Sequence, residues 1–214
     1  MRNIFNMDGP VITFLSKATD LVILNILYII CCIPVITIGA STTALYYVTL
    51  RMSRDEEGYI TKDFFRSFKE NFRQATIIWL ILACIGGVIG GEFLVINRME
   101  GSFAFGMECV VFFSILLFAF EMLYAFPVLS KFDNTIKNTM KNALFISILH
   151  IPKTVVMLIF SCIPIVLVLV SLRWLPLFIA LGFSVASYTN ACWMDKIFKK
   201  FEPKEPDLGE EPKE

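Results

Sequence analysis

The sequence predicts an all-α fold, a polytopic transmembrane helix bundle with about five full spans plus a short broken or re-entrant helix. Composition is the first reason. Of the 214 residues, 57% are hydrophobic and 18% are charged, whereas a soluble domain carries about 45–50% apolar and about 25% charged residues. Mean hydropathy is +0.70. Segregation is the second reason: 23 of the 38 charged residues fall within residues 51–73 and 195–214. The rest of the chain is built of apolar runs close to or above the ~18–20 residues that cross a hydrocarbon core. The 21 Phe residues suit the same solvent. One membrane domain, residues 1–201, is expected, followed by a tail from 202 to 214. That tail is charged and has three prolines, a composition that cannot bury a core and is expected to be disordered. Formal net charge is zero, so no bulk field points to nucleic acid as a partner; the expected partner is the lipid bilayer.

The first run, Leu21 to Ile38, ends on Pro34, Thr37 and Gly39. Asp8 and Asp20 precede it, and it does not read as a cleaved signal. The next stretch, Ala40 to Leu50, is rich in small and hydroxyl residues and too short to span alone. It is a half-span, a re-entrant helix or the return arm of a tight hairpin. Residues 51–74 form a polar, amphipathic segment expected at the cytoplasmic face. Within it Phe64, Phe65, Phe68 and Phe72 recur at helical spacing with Lys62, Arg66, Lys69 and Arg73 between them. Such a helix either lies on an anionic membrane face or packs on the bundle. Further spans are expected at about 75–96, 105–129, 143–172 and 174–193. The fourth is long for one crossing and contains His150, Pro152 and Lys153; the pattern fits an interfacial helix that enters the bilayer near Thr154.

Lys and Arg placement predicts orientation. Six lie in residues 51–73, three in 131–141 and five in 196–213, against Arg98 and Arg173 on the alternate connections. The expectation is a multi-pass protein of the cell membrane with the basic segments and the C-terminus in the cytoplasm. The side of the N-terminus depends on whether residues 40–50 cross. A weak internal echo, at an offset of 68, aligns Phe68-Lys69, Phe72-Arg73 and Ala75 with Ile136-Lys137, Met140-Lys141 and Ala143. Either chance or a duplicated unit of the kind transporters use accounts for it.

The first 75 residues carry a more specific pattern. Leu24-Asn25, Cys32, Pro34, Thr37-Ile38-Gly39-Ala40-Ser41, Ala44, the run from Arg54 to Tyr59, Phe64-Phe65, Ser67-Phe68-Lys69, Asn71-Phe72 and Gln74-Ala75 resemble the opening signature of the YesL family of bacterial membrane proteins. Asn25, Pro34, Gly39, Ser41 and Asn71 are the positions that carry it most plainly. Phe126-Pro127, Phe132, Lys141-Asn142-Ala143, Leu175-Pro176 and Gly182 match more loosely. The resemblance implies a companion of carbohydrate uptake and polysaccharide degradation in Gram-positive bacteria, and implies no reaction or ligand.

Several residues are candidates for more than span-building. Glu121 lies roughly 13 Å inside the third full span at 1.5 Å per residue. An ionised, unpaired carboxylate there costs at least ~2.5 kcal/mol, so it should be protonated, paired or facing a wet cavity. Asn25, His150 and Lys153 are placed at similar depth, and the four together form a candidate intramembrane polar cluster. It is either a site for a proton, ion or small polar ligand, or a structural pairing of Glu121 with Lys153 or His150. Glu92 and Glu108, near the external ends of their spans, fit the wet interfacial zone. Gly86, Gly87, Gly90 and Gly91 make two overlapping small-xxx-small patterns, expected to form a close helix contact. Pro34 and Pro164 each remove a helical donor. All six cysteines sit in or beside apolar runs without CxxC spacing and read as packing residues. A single histidine and the lack of HExxH, GxSxG or P-loop patterns leave no catalytic residues, metal site or cofactor to expect. The functional expectation is a non-enzymatic accessory or regulatory component of a sugar importer complex. The alternative is a small homo-oligomeric transporter of a sugar or other small polar solute.

Overall fold

The computed structural model describes residues 10–56, 58–96 and 102–201, and these form a helical bundle without strands. The helices are α1 (Pro10–Cys32), α2 (Ile38–Ser53), α3 (Ile60–Ile96), α4 (Ser102–Lys131), α5 (Ile136–Leu149) and α6 (Ile151–Val170), then the single turn α7 (Leu175–Leu177) and α8 (Phe183–Phe198). A π-helical segment, Phe178–Gly182, joins α7 to α8. Five stretches are long and apolar enough to cross a membrane: Ile12–Cys32, Ile60–Ile96, Phe105–Lys131, Ile151–Val170 and Leu172–Phe198. The chain is a multi-pass transmembrane helix bundle with one extra, shorter helix, α2. The expected tail from 202 to 214, Asp8 and Arg98 lie outside the described residues.

The shorter helix is the centre of the fold. Of its sixteen residues, Gly39, Ala40, Ser41, Thr43, Ala44, Leu45, Tyr46, Val48, Thr49, Leu50 and Met52 are buried, and it touches α1, α3, α4 and α8. Its threonine hydroxyls return to its own backbone: Thr42 Oγ1 donates to the Ile38 carbonyl at 2.7 Å, Thr43 to Gly39 at 2.9 Å and Thr49 to Leu45 at 3.0 Å. These three threonine hydroxyls are thereby satisfied inside a buried helix, whereas the buried Ser41 hydroxyl has no hydrogen-bond partner. Pro34 opens a short 3-10 turn, Val35–Thr37, and the Thr37 hydroxyl donates to the Cys31 carbonyl at 2.5 Å, closing the end of α1. Lys17 meets Asp55 at 2.5 Å. The start of α1 and the end of α2 therefore lie at the same end of the molecule. Of the alternatives left by the sequence, the return arm of a hairpin is the one realised.

The amphipathic segment 51–74 is not a separate surface helix. Residues 51–53 end α2, Asp55 turns with φ 56°, and from Ile60 onward the helix continues unbroken into the span, about 55 Å in all for 37 residues. Phe64 is fully buried against Leu24, Leu45 and Val48, with Phe68 packed beside it, whereas Phe65 and Phe72 stay exposed. The Phe64 and Phe68 half of the aromatic stripe packs on the bundle. The long fourth run is broken as its proline predicted. Helix α5 stops at Leu149 and α6 restarts at Ile151 with Pro152 in its first turn, where the missing N–H is no loss. In the internal echo, Ala75 and Ala143 are both fully buried in one core cluster.

Candidate functional site

Asn25 is fully buried and serves the backbone of the last span. Its Nδ2 donates to the Ile179 carbonyl at 2.6 Å and, longer, to Phe178 at 3.4 Å. Its Oδ1 accepts from the Phe183 and Ser184 amides at 3.0 and 2.9 Å. The π-helical turn displaces these carbonyls and amides from the regular ladder, and one side-chain amide supplies both the donors and the acceptor they need. Gly182 is required in that turn because the Phe178 ring folds onto it; an added Cβ would lie 2.5 Å from the ring.

A second polar group joins α4, α5 and α6. The Tyr124 hydroxyl lies 3.1 Å from Thr154 Oγ1, which donates to the Ser147 carbonyl at 2.9 Å. His150 sits at the α5–α6 break, its Nδ1 3.3 Å from the Ile146 carbonyl and its ring edge-on to Phe201. Across the bundle, Asn190 Nδ2 donates to Ser161 Oγ at 2.7 Å, joining α8 to α6.

Glu121 stands apart from all of these. It is 8% exposed, and neither carboxyl oxygen has a hydrogen-bond partner. It faces an open-sided groove of about 640 Å³ between α3, α4 and α5. The structure separates the four residues of the expected cluster: Asn25 is bound to the π-helix, His150 to the α5–α6 break, and neither His150 nor Lys153 reaches Glu121. The reason is rotational. Tyr124 and Thr154 fill the α4–α6 contact, and Glu121 is turned toward α3 and α5. Glu92 and Glu108 are both exposed.

The glycine expectation is also corrected. Nothing lies within 4 Å of a Cβ built on Gly87, Gly90 or Gly91, and Gly86 meets only the Phe118 ring, at 3.1 Å. The close backbone approach is at Gly39, where a Cβ would fall on the Ala75 carbonyl and 2.8 Å from Trp79 Cβ. Other signature residues are structural in the same way. Ser41 is fully buried in α2, and Asn71 Nδ2 donates to the Ser67 carbonyl one turn back at 3.1 Å.

One end of the bundle is ionic, and sequence reading missed its organisation. Arg51 pairs with Glu56 at 3.1 Å and with Asp63 at 2.9 Å. Asp195, near the end of α8, takes both Arg54 and, at 2.8 Å, Lys199. Arg54 and Lys131 line one recess at this end. A lone acid, Asp195, in the last turns of an apolar span was the available signal. The six cysteines are unpaired.

Comparison with known proteins agrees with the signature. Residues 21–93 match the family described as "Protein of unknown function, DUF624", a region that holds most of α1, all of α2 and nearly all of α3. The chain is 28% identical over 137 residues to "Uncharacterized protein YesL" of Bacillus subtilis (strain 168), covering 63% of this chain and 64% of that protein. The aligned region thus spans just under two thirds of the relative's length. No solved structure matches. The matched segment contains Asn25, Pro34, Gly39, Ser41 and Asn71, so the residues that carry the signature lie within the part of the chain that is similar to this family.

Proposed function

We propose that this protein is a non-enzymatic accessory or regulatory subunit of a bacterial carbohydrate-uptake system. One observation carries the reading: three polar side chains inside the bundle, Asn25, Tyr124 and Asn190, are engaged in joining helices. Asn25 serves the π-helix, Tyr124 pairs with Thr154, and Asn190 pairs with Ser161. They do not converge on a route for a sugar, whose many hydroxyls need a matching set of free donors and acceptors. The lone histidine touches a backbone carbonyl and a phenyl ring, not a nucleophile or a carboxylate, which favours a role without chemistry. The ionic end, rich in Lys and Arg, is read as cytoplasmic by the positive-inside rule, and with it both termini of the described bundle. The carbohydrate setting rests on the family resemblance.

The test is isolation of the tagged full-length protein from native membranes under mild detergent. Importer subunits are expected to co-purify, and the protein alone in liposomes is expected to move no labelled sugar. Sugar flux through the purified protein would replace this reading with a small homo-oligomeric transporter.

A further inference from the structure

The groove between α3, α4 and α5 has a chemistry that the accessory role does not use. Its walls are Leu82, Ile85 and Ile89 from α3, Leu117 and Phe118 from α4, and Leu144 from α5. The polar residues on its lining are Glu92, Ser114, Glu121 and Lys141, with the weakly polar Cys84. Ser114 is already engaged, donating to the Val110 carbonyl at 3.0 Å. Glu92 and Lys141 are exposed at the rim. Glu121 is left as a buried carboxyl aimed into an apolar, open-sided cavity with both oxygens unpartnered. Unsatisfied buried polar groups are uncommon, and one turn along the same helix Tyr124 has found its partner.

The surroundings narrow what completes this carboxyl. A sugar is excluded by the walls, which offer its hydroxyls almost nothing. A bare divalent cation needs about six oxygen ligands, and the groove presents two carboxyls, Glu121 inside it and Glu92 at the exposed rim. An ammonium group supplies charge and several donors to an acceptor-only carboxylate, the stronger class of hydrogen bond. The apolar walls then require the rest of the molecule to be hydrocarbon, and Phe118 adds a ring face that attracts cations. The volume lies within the ~300–1,000 Å³ range of small-molecule sites. We propose that this groove binds a lipophilic amine, its ammonium on Glu121 and its apolar body along α3 and α4, entering from the side of the bundle. This site stands independently of the accessory reading.

Decylamine is the probe, with decanol as its uncharged counterpart, and the full-length protein is studied in detergent micelles and in native membranes. Dicyclohexylcarbodiimide, an apolar reagent for protonated carboxyls, reports access to Glu121 when the modified peptide is located by mass spectrometry. Decylamine is expected to bind in equilibrium dialysis and to protect Glu121 from the reagent, where decanol does not. Glu121→Gln, which keeps the shape, is expected to weaken decylamine at least about tenfold, and Glu108→Gln, on an exposed part of α4, to leave it unchanged. Equal binding to parent and Glu121→Gln, no binding to the parent, or equal protection by decanol each overturns the proposal. So does a Glu121 that reacts in micelles but is shielded in native membranes and cross-links there to another polypeptide; the groove would then seat a partner's helix. If Glu121→Gln fails to fold, protection of the parent decides alone.

Discussion

Two buried polar residues of this chain, Asn25 and Glu121, look alike in sequence and differ in kind. Asn25 completes four hydrogen bonds to the backbone around the π-helix. Asn25→Leu leaves those amides and carbonyls without partners, at about 1–3 kcal/mol for each buried group left unsatisfied. A fall in detergent melting temperature, with a smaller fall for Asn25→Asp because it retains the acceptor, is the expected result. Glu121 has no intramolecular partner to lose. Glu121→Leu is therefore expected to melt at or above the parent temperature, since it replaces an unpaired buried carboxyl with hydrocarbon. This reverses the sign that a pairing with Lys153 predicts, and the same melting series reads both residues. Sequence identified each as a polar residue in an apolar run. It did not separate them, because what distinguishes them is the partner's position, 154 residues away for Asn25 and Ile179.

At the scale of elements, close packing is set by Gly39, not by the more conspicuous glycines of α3. Gly39→Leu has to drive α2 away from Ala75 and Trp79, and overpacking of this kind costs about 1–3 kcal/mol or more. Gly90→Leu meets open space and is expected to leave the melting temperature of the single chain unchanged. Differential scanning fluorimetry on the two variants checks the assignment; a larger loss for Gly90→Leu would reject it. The helices of high hydropathy were legible from residue runs alone, and so was the break at His150–Pro152, because proline acts locally. Helix α2 was legible as a segment but not as the centre of the bundle. Its Thr, Ser and Gly residues lower its hydropathy, and their suitability for burial comes from i−4 hydroxyl bonds and near backbones. In α3 the charge pattern changes at Ala75 while the backbone runs on without a break.

Across the whole molecule, the ionic end gathers segments far apart in the chain. Asp195 joins α2 to α8 through Arg54, and its side chain is 9% exposed. Asp195→Leu is expected to destabilise the protein by about 1–3 kcal/mol, below the ~3–5 of a fully buried pair because Lys199 remains largely in water. Denaturant titration in micelles measures it, and adding Arg54→Met should recover part of the loss. The same end fixes relative sidedness. Single cysteines at Tyr59, which is 82% exposed, and at Lys200, placed in a background without the six native cysteines, should be reached by impermeant maleimide from the same side of the membrane. Labelling from opposite sides would refute the shared end, and labelling of both in intact cells would invert the proposed orientation.

Sequence alone determined that this chain is a membrane-crossing helical protein, because solvent preference and helix-breaking chemistry are properties of short runs. It also singled out Glu121, since a carboxylate in hydrocarbon is costly wherever the helix turns. Tertiary structure decided which helix is central, which glycine bears a contact, and that Asn25 and Glu121 do not share a site. Those outcomes depend on the rotation of each helix about its axis. A rotation of one residue is about 100°, enough to move a side chain from a helix contact to an open groove, and it is chosen by packing against other helices, as near as α3 for Gly39 and 154 residues away for Asn25.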